Sequence, residues 1–127
     1  MSYYFSTILD CSFEQAIERA TEQLSKESFG VLTTIDVSTT LKNKLDVDMP
    51  RYTILGACNP TYAHKALTAE NKIGTMLPCN VVVQETDAGI EVSAVDPIAS
   101  MQAIENPELG NIATEVQAKL KKVIESL

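Results

Sequence analysis

The chain has 127 residues, 45% hydrophobic and 21% charged, with only 5 Gly and 5 Pro. Collagenous, coiled-coil and disordered classes are therefore excluded, and the length suits a single domain over residues 1–127 with one core. Seventeen acidic against ten basic residues leave a net charge of -7, which repels phosphate backbones and anionic lipid, so no nucleic acid and no membrane is expected as a partner.

The elements follow in chain order. Tyr3 to Leu9 alternates with aromatic and β-branched side chains and predicts a first strand. Ser12-Phe13-Glu14-Gln15 has the form of a capping box. Phe13, Ala16, Ile17, Ala20 and Leu24 then recur at helical spacing to about Ser28, with Glu14, Glu18 and Glu22 turned to water. Phe29 to Asp36 predicts a second strand, and Val37, Leu41 and Leu45 a short helix that ends before Met49-Pro50. Arg51 to Cys58 is a third strand. Asn59 supplies an N-cap and Pro60 a first helical residue for a helix carrying Ala63, Ala66 and Leu67, closed near Gly74. Cys79 to Thr86 and Ile90 to Val95 read as two strands joined through Asp87-Ala88-Gly89 in a hairpin. Asp96-Pro97 opens a short helix with Ile98, Met101 and Ile104. Asn106-Pro107 starts the last one, whose stripe is Leu109, Ile112, Ala113, Val116, Leu120, Val123, Ile124 and Leu127.

The hairpin and the terminal helix argue for an α+β fold: an antiparallel sheet of about five strands with the first and last helices on one face. Several strands carry apolar residues on both faces, for example Tyr52 and Ile54 against Leu55 and Ala57. The second face then needs a cover, which could be the short helices, a ligand or a second subunit.

The stretches free of formal charge, Tyr52 to Ala63 and Ile73 to Gln84, are too short for the roughly 20 residues of a membrane span. Met1 to Leu9 lacks the basic and then apolar pattern of a secretory leader. Three cysteines, Cys11, Cys58 and Cys79, are an odd number for a disulfide framework, so reduced thiols and a cytoplasmic location are expected. The signatures of nucleotide loops, nucleophile elbows, zinc proteases and C-x-x-C redox sites are absent from the chain. Asp36, Asp46, Asp48 and Asp96 stand at strand and helix ends, where single aspartates commonly cap. Lys119, Lys121 and Lys122 read as a solvated helix face.

Two segments are more distinctive. Cys58 lies in Gly56-Ala57-Cys58-Asn59-Pro60 and Cys79 in Leu77-Pro78-Cys79-Asn80-Val81, each cysteine followed by Asn at a strand boundary. If these strands are antiparallel neighbours, the two cysteines converge, with Cα atoms near the 7 Å or so that allows bridging. Together with Asp36 to Leu45 (DVSTTLKNKL), Tyr52 to Pro60 (YTILGACNP), Ile73 to Val83 (IGTMLPCNVVV) and Val95-Asp96-Pro97, they make nearly the whole chain resemble domain of unknown function family 302. The resemblance implies a TBP-like β-α-β-β-β-β-α core with short helical insertions, a homodimer, and no established activity. A likeness of fold to a DNA-binding protein transfers no function.

Cys11 reads as a small buried hydrophobe. Cys58 is either a structural thiol under the Asn59-Pro60 helix start or a thiolate stabilised by it, and Cys79 has the same two readings. His64 reads as a surface or dimer-contact residue to which the nearby thiols give a possible ligand role. Met76 and Met101 could add thioether ligands, and Tyr52 and Tyr62 could line a pocket. The candidate ligand-binding set is therefore Tyr52, Cys58, Asn59, His64, Cys79 and Asn80, with Cys58 and Cys79 as candidate metal ligands; no catalytic residue or cofactor is assigned. Two functions from different classes fit. One is a non-enzymatic homodimeric module that binds a small apolar or soft ligand. The other is a thiol-dependent redox or soft-metal-binding protein using Cys58 and Cys79.

Overall fold

A computed structural model of the chain describes residues 2–127. Strands β1 (Tyr4–Leu9), β2 (Gly30–Asp36), β3 (Tyr52–Cys58), β4 (Cys79–Thr86) and β5 (Gly89–Val95) form one sheet. Its order is β1-β5-β4-β3-β2, antiparallel at every junction. Helices α1 (Phe13–Lys26), α2 (Val37–Leu45), α3 (Pro60–Ala69), α4 (Pro97–Ser100) and α5 (Pro107–Glu125) intervene or follow. The architecture is the expected α+β one, with α1 and α5 packed on the same face.

Local chemistry explains the principal elements. The Ser12 Oγ accepts a hydrogen bond from the Gln15 N–H at 3.1 Å, and the Gln15 Oε1 accepts one from the Ser12 N–H at 3.1 Å, so the capping box closes in both directions. From that cap, α1 buries Phe13, Ala16, Ala20 and Leu24, while α5 buries Leu109, Ala113, Val116, Leu120, Val123 and Ile124. The strand pleat supplies the opposing surface: Leu55 and Ala57 from β3, Val81 and Val83 from β4, and Val92 and Ala94 from β5. Thr86 pairs with Gly89 across a two-residue turn. Gly89 has φ 135°, and a Cβ there would lie 2.9 Å from the Leu9 carbonyl oxygen, so both conformation and space demand glycine.

Three local expectations are corrected. Gly74 does not close α3, because Glu70 already leaves helical angles at φ -147° and ψ 103°. The chain then makes a separate 3-10 turn, Ile73–Met76, that buries Ile73 against Ala66 and Leu109. Leu67, assigned to the apolar stripe of α3, is 43% exposed rather than buried. Asn59 occupies the N-cap position without capping through its side chain; its Nδ2 instead donates to the Glu27 carbonyl at 3.2 Å, tying the start of α3 to the end of α1.

The sheet face away from α1 and α5 carries Tyr4, Ile8 and Ile35, exposed by 43%, 45% and 48%, with Ile54 and Val82 half-buried between them. Helix α2 contributes no fully buried residue. Its N-terminus is fastened to the sheet where the Ser38 Oγ accepts from the Tyr52 N–H at 3.2 Å.

Candidate functional site

At one end of the sheet the ladder pairs Ala57 with Cys79 and Gly30 with Cys58. Strand β3 ends and β4 begins there, and beside them, under α3 and α5, lies a cavity of about 360 Å³. Its floor is Ala57, Cys58 and Cys79, one wall is Tyr62, Ala63 and Ala66 of α3, and the rear is Ile112 and Val116 of α5. Leu77 and Pro78 close one side; Leu32 and Leu67, both exposed, form part of the rim. Apart from sulfur, only Thr33, Asn59 and Tyr62 bring polar side-chain atoms to the lining. The Asn59 amide is already engaged by the Glu27 carbonyl. A solute here meets hydrocarbon on almost every side.

The cysteines reach this cavity by different routes. The pleat puts Cys79 beside Ala57 on the helix-covered face and turns Cys58, one residue further along β3, to the other. Because the cavity wraps the sheet end, both border it, and both are free thiols. Cys79 is buried, and that burial, with a smaller contribution from the neighbouring Cys58, pushes its pKa up to about 11. At neutral pH it is a thiol rather than a thiolate.

The other expected site residues lie elsewhere. Tyr52 starts β3 at the far end, opposite Gln84, and shares with Asn80 a separate, more polar depression on the uncovered sheet face. His64 borders a different depression with Lys65, Thr68 and Glu108. The six residues thus divide into a cavity group, Cys58, Asn59 and Cys79, and two outlying ones. Met101 lines the cavity and Met76 does not. Among the described residues no cluster of three or more His, Cys, Asp or Glu side chains could hold a metal ion. The two thiols alone would suit only a soft ion of low coordination number.

The aspartates serve local structure. Asp36 caps α2, its Oδ1 accepting from the Thr39 N–H and the Ser38 hydroxyl at 3.0 Å each; these bonds hold its carboxyl below the ordinary carboxylate pKa. Asp96 caps α4 through the Ile98 N–H at 3.0 Å and accepts from the Gln117 amide at 3.1 Å. Asp46 and Asp48 both engage Lys42.

The glycine of the Gly56-Ala57-Cys58 run has a packing reason. A Cβ on Gly56 would collide with the Thr33 Oγ1 and stand 2.8 Å from the Pro78 Cγ. A family model described as "Domain of unknown function DUF302" matches residues 5–127, which include both cysteine segments. The chain belongs to the DUF302 family. This DUF302 chain is similar over 98% of its length, and 98% of the other, to a crystal structure of an uncharacterized conserved protein DUF302 from Bacillus stearothermophilus. The two are 26% identical with a TM-score of 0.91. Among curated proteins none matches.

Sequence patterning did not bring Leu32, Leu77, Ile112 or Val116 to the DUF302 cavity. Ile112 and Val116 were legible as core stripe residues, which they also are. Leu32 was not legible, because the register shift between Val31 and Thr33 that displaces it is a property of the paired ladder.

Proposed function

We propose that this DUF302 chain is a non-enzymatic homodimeric module that binds a small apolar molecule in the cavity at the end of β3 and β4. The observation that carries this reading is the lining of the cavity: its walls are almost wholly hydrocarbon, the Asn59 amide donates to the Glu27 carbonyl, and its volume of about 360 Å³ falls within the range of small-molecule sites. An apolar solute in such a cleft gains by the hydrocarbon area that it removes from water. The high pKa of Cys79 supports a packing role for it over a thiolate role. The exposed Tyr4, Ile8 and Ile35 support a second copy as cover for the bare sheet face, and reduced cysteines suit a cytoplasmic home.

The second reading, thiol redox or soft-metal binding, is favoured by one observation: two free thiols border one cavity. Native mass spectrometry of the protein purified from its own cells separates the two. A bound organic molecule on a dimer supports the module; a mass increment of copper or zinc, lost in Cys58→Ser, supports the metal reading and overturns the first.

A further inference from the structure

We infer that the ligand is an amphipathic carboxylate, a medium-chain acid whose tail fills the cavity while its anionic head meets Lys65 and Lys119. The inference rests on the apolar-module reading and specifies its ligand. Tyr62 forms a wall of the cavity, and two ammonium groups converge on its ring: Lys65 Nζ lies 5.6 Å and Lys119 Nζ 6.0 Å from the centroid. They come from different helices, α3 and α5, and both lie against a wall residue of the hydrocarbon cavity, although neither lines the cavity itself, in a chain of net charge -7. Among the described residues Lys65 has no salt bridge, although Glu108 shares a depression with it. Lys119 is held only loosely, 3.9 Å from Glu27, and Lys122 stands closer to the same carboxylate at 3.5 Å. Glu27 therefore keeps a partner if Lys119 turns to a ligand.

The lining is almost wholly hydrocarbon and its polar side chains, Thr33, Asn59 and Tyr62, are uncharged, with the Asn59 amide already donating to the Glu27 carbonyl, so a full negative charge is better placed beside the lysines than inside. A ligand that is charged at one end and hydrocarbon at the other satisfies both regions. The volume, about 360 Å³, stands at the small end of the range of ligand sites, which suits a medium rather than a long chain. The global negative charge opposes an anion, but at physiological salt that opposition is screened beyond about 8 Å, whereas contacts at the rim are shorter.

The experiment titrates the protein with octanoate and with 1-octanol, which share the same tail, following backbone amide signals of Cys58, Ala63 and Ala66 by NMR. Octanoate should bind about 3- to 10-fold more tightly than 1-octanol, the range expected of two solvent-exposed charge contacts. In the double variant Lys65→Gln/Lys119→Gln that preference should vanish while 1-octanol affinity stays the same. Equal affinities in the wild type, or a preference that survives in the variant, overturns the carboxylate head and leaves the apolar cavity standing. If neither compound moves the three cavity signals, the apolar-module reading falls, and this inference with it.

Discussion

Cys79 shows how one buried residue couples the cavity to stability. Its thiol is buried at the edge of the core that also holds Ala57, Val81 and the α5 stripe, and that burial, with a smaller contribution from Cys58, pushes its pKa from the ordinary 9.0 to about 11. Between those values the folded chain keeps a proton that the unfolded chain has released. The stabilisation from this group is therefore complete below about pH 9 and is lost as pH rises through about 11. The loss should be on the order of 2 kcal/mol. Urea unfolding under reducing conditions at pH 8 and pH 11 should show a steeper decline for the wild type than for Cys79→Ala. Equal declines would mean that water reaches the thiol in the folded chain. The same burial explains why sequence alone left Cys58 and Cys79 with identical readings. Each sits at a strand boundary before Asn, and only the ladder register shows which of them faces the helices.

At the scale of elements, α5 is the principal cover of the sheet, and Leu120 is fully buried in the middle of its stripe against the strands and α1. Leu120→Ala should cost about 2 to 5 kcal/mol, read from chemical denaturation, because neighbours on both layers prevent the space from collapsing. A loss under about 0.5 kcal/mol would show that the stripe does not carry the packing assigned to it. This helix was fully legible: Asn106-Pro107 marks its start, and its 3.6-residue period is unbroken to Ile124. The five strands and the first capping box were legible for the same reason, since alternation and caps are local signals. The region between β3 and β4 was less so. Gly74 looked like a helix terminator, but tertiary burial of Ile73 under α5 decides how that segment runs. The cavity depends on that segment, so its walls could not be assembled from periodicity. Tyr52, His64 and Asn80 were grouped with the cysteines by nearness in sequence, whereas strand length, helix rotation and the strand pleat respectively carry them to other surfaces.

For the molecule as a whole, the unequal treatment of the two sheet faces has a consequence for assembly. One face is sealed by α1 and α5. The other presents Tyr4 and Ile8 on β1, at one edge, and Ile35 on β2, at the opposite edge. Between them, Ile54, Val82 and Val95 are only half-buried. Apolar side chains spread across a whole sheet face make a patch of the kind that soluble monomers seldom leave open. A symmetric pair of such faces would bury it without any further element, because a two-fold axis matches each residue with its counterpart's surroundings. The face holds one carboxylate near its centre, Glu91, opposite Gln84, whose Nε2 lies 3.5 Å from the Glu91 Oε1; in an interface this amide would share the cost of desolvating the charge. The protein should therefore sediment at equilibrium, at micromolar concentration, with a mass near twice 13.8 kDa. Ile8→Glu combined with Ile35→Glu should return it to the monomer mass while leaving the circular dichroism of the fold intact, since both side chains are already half in solvent. A wild-type mass near 13.8 kDa would remove the homodimer, and a dimer that survives both glutamates would move the interface to another surface, with exposed Leu45 and Val47 beyond the sheet as the next place to substitute.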